Sequence, residues 1–109
     1  MASTSLSSML VGNTIGNLYT SGGNTAITWC SINNYSASNV TANVHLVPDG
    51  IGTIANAQNQ ILTNLEILAG DTYQLYQAGE KILLSNGDMI QIVANASGCL
   101  SAVVSYTSY

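Results

Sequence analysis

The chain has 109 residues, enough for one domain with a modest core, since a chain of this size buries roughly two-thirds of its unfolded surface without metals or disulfides. Charged residues make up only 6% of it, with Lys81 the single base against five acids and a net charge of −4. That balance excludes nucleic-acid binding, which needs cations to displace counterions from phosphates, and it disfavours anionic membrane surfaces. The acids are Asp49, Glu66, Asp71, Glu80 and Asp88, so the polar surface is built from Ser, Thr, Asn and Gln. A neutral polar surface repels copies of itself weakly and suits a protein packed against neighbours.

Residues 1–17 are rich in Ser, Thr, Gly and Asn and contain no Lys or Arg. The only apolar run there is Met9-Leu10-Val11, too short for a secretory signal, so synthesis and use in the cytosol, or release by something other than secretion, are expected. This segment reads either as a frayed terminus or as an N-terminal arm that orders on a neighbouring subunit through Leu6, Met9, Leu10 and Val11. Residues 18–109 read as the folded domain. Nowhere does the chain approach the roughly 20 consecutive apolar residues of a membrane-spanning helix.

Ser21-Gly22-Gly23-Asn24 is a turn signal, and Thr25–Ile32 follows as a strand rich in β-branched residues. Strict alternation puts Ile27 and Trp29 on one face, with Ala26, Thr28, Cys30 and Ile32 on the other. A polar loop spans Asn33–Asn39. The next strand is the clearest: Val40, Ala42, Val44 and Leu46 point inward, Thr41, Asn43 and His45 outward. Pro48-Asp49-Gly50 ends it, and residues 51–60 read as a loop or a short helix. Strand character returns at Gln60–Leu68.

Two copies of one pattern follow. Leu68-Ala69-Gly70-Asp71-Thr72-Tyr73 and Leu84-Ser85-Asn86-Gly87-Asp88-Met89-Ile90 each contain an apolar residue, a Gly-Asp corner and an alternating run. Glycine reaches positive φ without a Cβ clash, and aspartate can bond nearby amides, so each corner is a turn between strands. The two are joined through residues 77–80. After Ala96-Ser97-Gly98 the last strand runs from Cys99 to Thr107, with Leu100, Ala102, Val104 and Tyr106 on one face. About seven to eight strands at short spacing, with no helix of normal length, predict an all-β, antiparallel two-sheet β-sandwich with an N-terminal arm.

No catalytic constellation stands out. Asp49, Asp71 and Asp88 sit at strand ends as turn caps, and no DxDxDG-like cluster supports calcium. His45 lacks an orienting acid nearby, and no phosphate-cradling glycine loop is present. No metal or cofactor is expected. Cys30 and Cys99 lack metal-type spacing and, without a secretory signal, are expected as free thiols. Six Tyr, one Trp and no Phe favour rings with a polar end, a type enriched at protein contacts and in sugar sites. Tyr35, in the polar loop, and Tyr109, at the terminus, are the expected contact residues.

The order Thr25-Ala26-Ile27-Thr28 to Cys30-Ser31-Ile32-Asn33-Asn34, then Val44-His45-Leu46-Val47-Pro48-Asp49-Gly50, the two Gly-Asp units and Val103-Val104-Ser105-Tyr106 resembles small β-sandwich virion proteins of tailed bacteriophages. These serve as capsid decoration (cement) proteins or as parts of neck and tail appendages. The resemblance covers about residues 18–107 and consists of strand and turn positions; the N-terminal segment lies outside it, and Trp29 is not part of the pattern. It implies a non-enzymatic decoration protein on the outer surface of the shell, assembled in the host cytoplasm, homotrimeric and bound to the major capsid protein. The alternatives are a neck, tail or fibre-attachment component and, from another class, a carbohydrate-binding module.

Overall fold

A computed structural model describes residues 4–49, 59–74 and 82–108. It contains nine strands: β1 (Thr4–Val11), β2 (Gly16–Thr20), β3 (Thr25–Asn34), β4 (Val40–Val47), β5 (Gln60–Ile67), β6 (Thr72–Gln74), β7 (Ile82–Leu84), β8 (Met89–Ala94) and β9 (Leu100–Ser108). They form two antiparallel sheets. The larger has the order β1-β9-β3-β6, with β7 also on β3; the smaller is β2-β8-β4-β5. The loop or short helix expected within 51–60 (all but Asn59 and Gln60), the connection 77–80 and Tyr109 lie outside the described residues.

The core is the apolar alternation of both sheets brought face to face. Ile27, Ile32, Val104, Leu100 and Val11 from the larger sheet are buried with Ile90, Ile92, Val44, Val40 and Leu18 from the smaller. Each side chain of this size contributes about 1.5–3 kcal/mol when removed from water, so this layer is what holds the sheets together. At the sandwich edge, Ser7 Oγ donates to the Leu18 carbonyl at 2.9 Å and ties β1 to β2. Tyr19 and Tyr106 pack together with ring centroids 4.2 Å apart.

Four features differ from the sequence expectation. The segment expected as an arm is largely β1, paired with β9 without a break from Thr4↔Thr107 to Val11↔Leu100. In β3, a bulge between Ile27 and Trp29 inserts Thr28 as an extra residue, so alternation switches sides. Ile27 is therefore buried with Cys30 and Ile32, while Trp29 turns outward. His45 is only 5% exposed rather than on an open polar face, with its Nδ1 2.9 Å from Asn59 Oδ1. Finally, β3 continues through Asn33 and Asn34, which had read as loop.

The two Gly-Asp corners are turns, as their sequence implies. Gly70 and Gly87 have φ of 79° and 89°, the left-handed region that a side chain resists. The Asp71 amide donates to the Leu68 carbonyl at 2.9 Å, and the Asp88 amide to the Ser85 carbonyl at 3.1 Å.

Candidate functional site

The exposed surface with the most distinctive chemistry is the outer face of the larger sheet. Pairing registers place its residues in rows across the strands. One row is Leu6, Ser105 and Trp29; the next is Ser8, Val103, Ser31 and Gln74; the third is Leu10, Ser101, Asn33 and Thr72. Beyond Trp29, Leu83 of β7 pairs with Ala26 and is also exposed. None of these residues carries a charge.

Strand parity decides what β1 offers. Leu6 and Leu10 are 73% and 70% exposed, whereas Val11 is buried in the core and Met9 turns inward over Gly16. Of the four residues of this segment expected to touch a partner, Leu6 and Leu10 share one face. Met9 and Val11 belong to the core side in this fold. Leaving two leucines in water forgoes about 1.5–3 kcal/mol each, a sizeable unused driving force on a strand of this length. Tyr35, 50% exposed, lies just past the end of β3, with its amide bonded to the Cys99 carbonyl at 3.0 Å. Tyr109 lies outside the described residues.

Trp29 is the member that strict alternation assigned to the wrong company. The Thr28 bulge swings it onto the outer face at 40% exposure, and Thr28 Oγ1 holds the bulge by donating to the Ser105 carbonyl at 3.1 Å. Bulges re-aim single side chains, and here the re-aimed one is the chain's only tryptophan. The signal available in sequence was its ring type alone, a large amphipathic ring of the kind favoured at contacts.

The acidic groups lie elsewhere, and Asp88 is engaged in structural contacts. Asp88 accepts from the Ser85 amide at 2.9 Å and the Asp49 amide at 2.8 Å, closing its own turn and anchoring the end of β4. Asp71 and Glu66 are exposed beside β6 and on β5. Among the described residues no three His, Cys, Asp or Glu side chains gather as a metal site would require. Both cysteines are free; burial pushes the Cys30 thiol up to about 11, which keeps it protonated and unreactive at neutral pH. Cys99, half-buried, donates its thiol to the Ser97 carbonyl at 3.5 Å.

Among the described residues every buried side-chain nitrogen and oxygen has a hydrogen-bond partner. The most elaborate case is Asn34. Its side-chain nitrogen donates to the Ile67 and Ser38 carbonyls at 2.8 and 2.7 Å, and its oxygen accepts from the Ser36 amide and hydroxyl. The cluster fastens the end of β3 to β5 and leaves no open hydrogen-bonding position for a ligand.

No family model matches the chain, and neither a curated protein nor a solved structure matches it.

Proposed function

We propose that the chain is a non-enzymatic structural protein of a tailed-phage virion, most simply a decoration protein on the outer surface of the shell. The observation that carries this reading is the uncharged outer face of the larger sheet, on which Leu6, Leu10, Trp29 and Leu83 stand among Ser, Thr, Asn and Gln. A face of this composition can lie against a neighbouring protein without desolvating any charge. The engagement of the Asp88 carboxylate in its own turn, the burial of His45 and the protonated thiol at Cys30 support a role without chemistry.

A decoration protein presents many copies to a repeating surface, so modest affinity per copy suffices when several are linked. The test is to purify particles by density and measure the ratio of this chain to the major shell protein. A ratio near that of the shell subunits supports decoration, and a single ring of copies supports the neck or tail alternative. Absence from particles overturns both.

One observation favours a second reading. Trp29 stands half out of the outer face opposite Ser105, with Ser31 in the next row, an arrangement on which a sugar ring could stack. A glycan array compared between the native chain and Trp29→Ala separates the two: binding that disappears with the ring supports a carbohydrate-binding module.

A further inference from the structure

Among the described residues the sandwich has four edges, and three are blunted. β2 has five residues and a bulge between Asn17 and Tyr19. β5 breaks register twice against β4, places Asn64 at a φ of 49° and carries Glu66. The remaining edge of the larger sheet consists of β6 and β7, three residues each. Bulges, shortness and charge are the usual means of stopping an edge from pairing with another chain.

β1 has none of them. It runs eight residues in unbroken register, with no proline, no charge and two exposed leucines. It is the end of its sheet, and no described strand pairs with its outer side.

We propose that this edge pairs antiparallel with β1 of a second copy of the chain, about a two-fold axis at Ser8. Two features of the chain select that occupant. The two exposed leucines stand at equal distances from Ser8, in Leu6-Ser7-Ser8-Met9-Leu10. Antiparallel pairing centred there sets each Leu6 against the partner subunit's Leu10, twice, on the outer face. Directly opposed apolar pairs are the unit of sheet stabilisation.

The second feature is charge. Two copies at −4 each repel wherever their carboxylates approach. Asp49, Glu66, Asp71 and Asp88 lie on β5 or at the corners beside β4, β6 and β8, and none lies on β1, β9 or β3. The β1 edge is where two copies can meet with those groups held away. The resulting sheet runs β6-β3-β9-β1-β1-β9-β3-β6, and the Leu6, Leu10 and Trp29 rows of both copies become one face.

An edge that pairs with itself closes after two copies, so this contact gives a dimer where the resemblance implies a trimer. It stands apart from the virion reading: a chain that never joins a particle would still dimerise.

Sedimentation of the full chain over a concentration series tests it. The native chain should form a concentration-dependent dimer. Ser8→Lys and Ser8→Glu, each at an exposed position, set like charges opposite each other and should weaken the dimer about tenfold. Mixing the two variants should restore a dimer of one copy of each, which a merely misfolded variant could not do. In exchange measurements, amides of residues 6–10 should be slower in the native dimer than in Ser8→Lys. A native chain that stays monomeric up to about 100 μM, a concentration well above useful affinities, overturns the proposal. A trimer, or a Ser8→Lys dimer of native strength, does so equally.

Discussion

The two Gly-Asp corners are the same turn built twice and held in different ways. In each, one residue of another segment is bracketed by the turn: the glycine amide donates to its carbonyl, and its amide donates to the aspartate carbonyl. At the first corner that residue is Asn34, with bonds of 3.0 Å from Gly70 and 2.9 Å to Asp71. At the second it is Ser21, with bonds of 2.7 Å from Gly87 and 2.8 Å to Asp88. The backbone is shared, but the side-chain work sits on opposite partners. Asn34 supplies it at the first corner, through its four-way bonded amide, and at the second it comes from the corner's own Asp88 with Asp49 packed against Gly87. A repeated sequence pattern thus specifies a turn geometry and leaves open which side of the contact secures it.

The largest expected effect separates the bracketed residues. Asn34→Ala removes a fully buried amide and leaves the Ile67 carbonyl and the Ser36 amide without their partner, at a cost of about 3 kcal/mol or more. Ser21→Ala removes a hydroxyl that bonds Thr25 Oγ1 at 2.9 Å, and should cost about 1 kcal/mol. Urea unfolding with unchanged m reads both. Equal losses would mean that the bracket depends on backbone bonds alone.

The glycines should differ next. Gly70→Ala meets open space and bears only the left-handed backbone, about 1 kcal/mol. At Gly87 a Cβ would run into Asp49 Cγ, so Gly87→Ala adds a clash and should cost about 2–3 kcal/mol. Combining it with Asp49→Ala should recover about 1 kcal/mol, a coupling that a double-mutant cycle reports. Without that recovery, the asymmetry would belong to the backbone and not to Asp49.

How far the sequence was legible follows from the same contrast. Corners announce themselves locally, because Gly-Asp fixes a turn within four residues, and both are turns in the structure. The alternation of β9 and of Val40, Ala42 and Val44 in β4 is legible too, because β9 pairs with β1, and Ala42 and Val44 with β8, without interruption. Bulges are not announced. Thr28 looks like any strand threonine, yet as one unpaired residue it moves Trp29 to the opposite face. β1 was hard to see for another reason: its partner, β9, lies at the far end of the chain, and its leucines face solvent while Met9 and Val11 face the core. Asn34 resembles a loop residue in sequence because its burial arises from Ile67 and Ser38 closing over it, contacts that no local pattern encodes.

The smallest effect is the most direct test of where the second corner's hold resides. Asp88 accepts two backbone amides, one within its turn and one from Asp49. Asp88→Ala should therefore cost about 1–2 kcal/mol, held down because the site is half-exposed and water can replace part of what is lost. Asp88→Asn keeps one acceptor oxygen and should lose about half as much. Asp71 occupies the equivalent position but is exposed and bonds no described residue through its carboxylate, so Asp71→Ala should stay within about 0.5 kcal/mol. The ratio between the two alanine variants carries the inference, because strand propensity and lost charge are common to both. If Asp71→Ala proved as damaging as Asp88→Ala, the aspartates would be acting through the turn conformation they share. The fastening of β4 through the Asp49 amide would then contribute little.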